Sequence, residues 1–248
     1  MRYIFSLLAI GLVCCALPAQ AGGQFSAGVV PWSHDTDLEV QNATDFDGSN
    51  NTIDEAAKDW DMQGSGMAVR VAYEFPMRVS LYGEVGTSQT TVRDEDVTDP
   101  NLDVDSRGLD GGTYYGVGAQ IQRDIGSNGK AFWSAGASFS AYSADLSEDV
   151  DTSWDYDETA VAVDGKAGWR FNGVGFYGGV RFVDYNADLD ETDLSQLPGE
   201  TFRTTELERD GDLDFLLGFE SKGEHFMGFI ELAVVGTRSA KAGLSFLF

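Results

Sequence analysis

Two histidines are the only imidazoles in this chain of 248 residues, and one of them has neighbours suited to catalysis. His34 lies between Ser33 and Asp35, and hydroxyl, imidazole and carboxylate are the parts from which an activated nucleophile is built. Adjacent residues of an extended chain point to opposite sides, so this local trio cannot form a relay by itself. His225 follows Gly223 and Glu224 in a segment that reads as a tight turn, and it is taken as a turn residue. No catalytic residue is assigned on these grounds.

Carboxylates are the other candidates for chemistry. Asp184-Tyr185-Asn186-Ala187-Asp188 begins with the alternation of an oxygen-ligand calcium loop, but Leu189 stands where the turn glycine belongs and Ser195 where the closing carboxylate belongs. Asp103-Val104-Asp105-Ser106-Arg107-Gly108 keeps the glycine and places Arg107 among the ligands. Neither makes a dedicated site, so no metal ligand and no cofactor is assigned; diffuse binding of divalent cations at acidic loops is the weaker alternative. The formal net charge of -25 excludes nucleic acid as a partner, because a polyanion is repelled where it would need Lys and Arg to displace its counterions.

The elements that would position these residues are strands. The N-terminus carries Arg2, an apolar run from Ile4 to Leu17 and then Ala19-Gln20-Ala21, the three zones of a secretory signal, so residues 1–21 are expected to be removed and 22–248 to form one domain. Cys14 and Cys15 fall within that signal, which leaves the exported chain without a thiol. Beyond it no apolar run approaches the ~20 residues that a membrane-crossing helix needs. Alternation of apolar and polar residues instead predicts strands over 24–33, 66–75, 78–92, 112–124, 131–145, 158–171, 174–187, 211–221, 225–235 and 240–248. Their links alternate between tight turns, such as Phe75-Pro76-Met77-Arg78 and Asn172-Gly173, and long carboxylate-rich segments: Asp35 to Asp61, Asp94 to Asp110, Asp145 to Glu158 and Asp188 to Asp210.

One face of each strand is apolar. It offers Met67, Val69, Val71, Tyr73 and Phe75 on one strand, and Leu213, Phe215, Leu217 and Phe219 on another, with large aromatics such as Trp133, Trp169, Phe171 and Phe248 gathered beside the tight turns. The opposite faces hold Arg70, Glu74, Tyr82, Glu84, Asp164, Lys166, Arg170, Tyr177, Arg181, Asp214, Glu220, Glu231 and Lys241. A closed antiparallel transmembrane β-barrel of ten strands, with eight as the nearest alternative, satisfies this pattern, since only closure pairs every backbone group in hydrocarbon. The polar set then lines the lumen, where mixed signs favour a network of ion pairs over a selectivity filter.

With its signal, its alternating strands and the closing run Leu244-Ser245-Phe246-Leu247-Phe248, the chain resembles the small outer-membrane β-barrel proteins of Gram-negative bacteria, the OmpA-like and narrow porin-like barrels. The resemblance implies an integral outer-membrane location with periplasmic termini and extracellular acidic loops, contact with lipid and lipopolysaccharide, and engagement of the outer-membrane assembly machinery by the terminal aromatic strand. It implies a structural protein or a narrow diffusion channel. The alternative is a surface interaction protein using its acidic loops; an enzyme acting on lipid A or peptide is less favoured, because no active-site pattern of that kind maps onto these residues.

Overall fold

Alternation becomes ten antiparallel strands in the computed structural model, which describes residues 23–45, 59–94, 107–127, 129–149, 152–193 and 201–248. The expected signal at 1–21 and the central parts of the acidic segments lie outside the described residues. The strands are β1 (Gln24–Asp45), β2 (Asp59–Glu74), β3 (Val79–Asp94), β4 (Arg107–Ile125), β5 (Ala131–Asp149), β6 (Thr152–Phe171), β7 (Val174–Asp193), β8 (Thr201–Lys222), β9 (Phe226–Ala233) and β10 (Arg238–Leu247). Each pairs with its sequence neighbour, and β1 pairs with β10 to close the barrel. Phe248 extends that seam by donating its backbone N–H to the Phe25 carbonyl at 2.9 Å.

Tight links sit at one end. Arg78 N–H reaches the Phe75 carbonyl at 2.8 Å in the β2–β3 turn, and Arg78, Asn172 and Gly173 take positive φ (56°, 49° and 85°) to reverse the chain in so few residues. At the other end the strands run further than their apolar pattern: β1 continues to Asp45, β2 starts at Asp59 and β8 starts at Thr201. Parts of the acidic segments expected as loops are therefore paired strand. Backbone pairing is indifferent to side-chain polarity, and in water an outward carboxylate carries no desolvation cost, so the ladder outlasts the apolar zone that announces it.

The β9–β10 hairpin is shorter than its neighbours. It turns at residues 234–237, two residues earlier than the expected strand to 235, with Gly236 at φ 81°. Beyond its tip β1 meets β8 directly, from Glu39 opposite Glu208 to Asp45 opposite Arg203. Ten strands thus close the lower barrel, and eight continue above.

Side chains obey the strand period of two. Outward residues form an apolar belt, with Val69, Leu217 and Phe246 each about half exposed, while their neighbours Ala68, Leu216 and Ser245 are buried inside. Tyr73 keeps its place in the outward row, between Ala72 and Glu74 that line the lumen, but it is covered, packed edge-on against Phe75 at 4.7 Å. Inside, flat rings lie on glycines of the adjoining strand. A Cβ at Gly118 would stand 2.3 Å from the Tyr82 ring, and one at Gly218 would stand 2.4 Å from the Tyr177 ring, so these glycines let large rings fit a narrow lumen.

A charge in the belt is expected to cost what hydrocarbon exacts. Leu217→Arg should lower stability in lipid vesicles by about 2–4 kcal/mol, whereas Asp157→Asn, on the outward face above the belt, should stay within about 0.5 kcal/mol. Urea titration of the reconstituted barrel followed by tryptophan fluorescence distinguishes the two.

Candidate functional site

The lumen gathers the polar residues that the strands turn inward, and it is organised in layers along the barrel axis. Nearest the tight turns, a vestibule of about 540 Å³ is lined by Gln24, Glu74, Arg78, Asp124, Arg170, Glu220 and Lys222 among others. Arg170 bridges Asp124 at 2.5 Å and Glu220 at 3.2 Å, and its guanidinium lies 4.3 Å over the Phe132 ring. Gln122 donates to the same Glu220 at 2.9 Å. Arg78 also meets Asp124, at 3.0 Å, and Lys222 meets Glu74 at 2.6 Å.

Deeper in, a smaller space of about 180 Å³ is lined by members of two clusters. Glu231 accepts from Lys166 at 2.6 Å and Tyr177 at 3.1 Å, and Lys166 also lies 3.2 Å from Asp164. Glu84 pairs with Arg70 and accepts from Lys241 and Tyr114, each at 3.1 Å. Arg70 additionally covers the Tyr82 ring at 4.4 Å. These residues come from β6, β7 and β9 in the first cluster and from β2, β3, β4 and β10 in the second, so each cluster ties together strands that are not adjacent.

Asp214 holds the next level. Fully buried, it accepts from Arg181 Nε at 2.9 Å and Nη2 at 2.7 Å, and from the Thr237 backbone N–H at 2.8 Å. A Cβ on Gly236 would come within 2.6 Å of its Oδ1, so the β9–β10 turn requires glycine there both for φ and for this close approach. One carboxylate thereby fixes the tip of the short hairpin, and Arg181 relays it to Ser239 at 3.0 Å.

Above Asp214 the interior becomes aromatic. Trp32 stacks on His34 with ring centroids 5.3 Å apart and leans toward Tyr114 at 5.4 Å. Ser33 is exposed on the outer wall, so the Ser33-His34-Asp35 trio does not converge. His34 Nε2 is buried without a hydrogen-bond partner. Beyond the apolar belt, Tyr156 Oη lies 2.7 Å from Met62 Sδ and 3.0 Å from Glu158 Oε2. Burial pushes the Glu158 carboxyl up to about 7, and the Tyr156 hydrogen bond only partly offsets this.

Every candidate lumen residue from Arg70 to Lys241 is thus placed along one interior, in ion pairs, hydrogen bonds or cavity walls. Sequence reasoning did not single out Asp124, which joins Arg78 and Arg170, because it sits at a strand end and reads as turn. Nor did it single out Met62, Tyr156 or Glu158, which lie where the apolar outward rows give out; continued inward alternation through Tyr142, Ala144, Tyr156 and Ala160 is the signal that finds that level. Among the described residues no group of three or more His, Cys, Asp or Glu side chains is arranged to hold a metal ion.

No protein-family model matches the chain, and no curated protein is significantly similar to it in sequence. Solved structures do share its architecture. The outer-membrane protein OprG from Pseudomonas aeruginosa superposes with a TM-score of 0.50 at 11% identity, covering 91% of this chain and 96% of its own. The outer-membrane protease OmpT from Escherichia coli gives 0.47 at 9% identity over 91% and 96%, and the translocator domain of the autotransporter NalP from Neisseria meningitidis gives 0.43 at 14% over 99% and 95%. The chain shares with OprG the fold of a closed antiparallel β-barrel.

Removing Asp214 should be the costliest single change in this interior. Asp214→Ala leaves Arg181 only the more distant Glu231, at 3.8 Å, and takes the carboxylate acceptor from the Thr237 N–H, with an expected loss of about 3–5 kcal/mol, measured by equilibrium unfolding in detergent micelles.

Proposed function

We propose that this chain is an integral outer-membrane protein whose sealed barrel is a structural anchor for the strands it raises beyond the belt. The observation that carries this reading is the pairing of acids with bases inside the lumen: Lys241 with Glu84 and Lys166 with Glu231 each reach past two intervening strands, while Arg70 with Glu84 and Arg181 with Asp214 join adjacent ones. Largely buried pairs that compensate each other have little reason to separate, because parting them strands a charge away from water. The role is non-catalytic in this reading, since His34 is packed on Trp32 and its flanking hydroxyl faces outward.

In the same reading the tight turns and both termini face the periplasm, the terminal aromatic strand is what the assembly machinery engages, and the raised strands face outside. Asp155, Asp157 and Asp188 are exposed there, at a height where lipopolysaccharide phosphates and divalent cations would meet them. This gives the barrel a surface-interaction role alongside its structural one.

A narrow, porin-like channel is the second reading, favoured by the polar vestibule that enters from the turn end and reaches Arg70 and Tyr82. Planar bilayers decide between them. The sealed barrel should be silent in potassium chloride at either polarity, while steady conductance steps that change on Arg181→Gln would overturn it in favour of the channel.

A further inference from the structure

We propose that Glu158 and Tyr156 form a proton-operated strut at the outer end of the lumen, in which uptake of a proton by Glu158 frees the Tyr156 hydroxyl to bond Met62 and tie β6 to β2 across the barrel.

The geometry poses a question of hydrogen count. Tyr156 Oη is within reach of both Met62 Sδ, at 2.7 Å, and Glu158 Oε2, at 3.0 Å, yet a phenol has one proton to donate. With Glu158 ionised, that proton goes to the carboxylate, the stronger acceptor, and the thioether receives none. With Glu158 protonated, the carboxylic O–H donates to Tyr156 Oη and the phenol proton turns to Met62 Sδ. The exchange takes one proton from solvent and breaks no covalent bond.

Surroundings favour the neutral form. Tyr156 and Met62 are fully buried and Glu158 nearly so. Glu158 stands opposite Tyr142 on β5 and Ala187 on β7 in the sheet register. Among the described residues, the ionisable groups facing this level include Tyr142 from β5, Tyr156 from β6 and Tyr185 from β7. Arg181, the nearest described base acting on Tyr185, is committed to Asp214, and Arg209 of β8 is the register partner of Tyr185. His34 of β1 is the other buried titratable group of the aromatic level.

The direction of the pH effect follows. A carboxyl raised in the folded barrel from its ordinary 4.5 to about 7 contributes full stability below the lower value. That contribution is lost as pH rises between the two, and does not change further above the upper one. The strut itself changes state near neutrality.

The test uses the full barrel in micelles with 13C-methyl methionine, the Met62 resonance being assigned by its loss in Met62→Leu. The Met62 methyl shift should titrate with a midpoint near 7 in the unmodified protein and become flat in Glu158→Gln and in Tyr156→Phe. In Met62→Leu the 13C carboxyl titration of Glu158 should persist with a lower midpoint, because the neutral form has lost its reward. A Met62 resonance that ignores pH in the unmodified protein, or one that still titrates in Glu158→Gln, overturns the strut. So does a Glu158 carboxyl with a midpoint below 5, a measurement that needs no variant to fold.

Discussion

Hydrocarbon offers no partner to a backbone N–H or carbonyl, and that single refusal dictates this molecule. Strands that cross it must find every hydrogen bond in one another, so the sheet closes by laying β1 against β10, with Phe248 still contributing a bond at the seam. Closure then separates two environments with opposite demands. The outer wall must be apolar at the belt, and the inner wall inherits whatever polar residues the period of two turns inward.

Those inward residues explain how a chain of net charge -25 encloses a balanced interior. The scarce bases Arg70, Lys166, Arg170, Arg181 and Lys241 are placed in the lumen, each against a carboxylate. Other acids, such as Asp155, Asp157 and Asp188, are exposed on the paired strands above the belt. Had they stood inside, repulsion between carboxylates at low local dielectric would have opposed closure. Rings laid on glycines fill the space between the pairs, so packing and charge compensation cooperate in one narrow cylinder.

The barrel was legible in the chain because its rule is short-range: Val69, Leu217 and Phe246 stand every second residue from polar neighbours, and the structure has them on the outer wall. Strand number followed from counting those rows. Where the rows stopped, so did the reading. The upper halves of β1 and β8 are rich in polar residues, which composition alone reads as loop, and the pairing of Glu39 with Glu208 depends on contacts across most of the chain. The hold of Asp214 on Gly236 and Thr237 is of the same kind, since no spacing in the sequence links a strand residue to the tip of the next hairpin.

That hairpin gives β1 two successive neighbours along one edge, β10 below and β8 above. Assembly therefore faces a fork. If β1 zipped onto β8 from top to bottom, a smaller cylinder would seal with the last two strands shut out, and nothing in backbone pairing alone forbids it. The ten-stranded cylinder therefore depends on the hairpin, its tip held by Asp214, occupying the lower edge of β8 that β1 would otherwise meet.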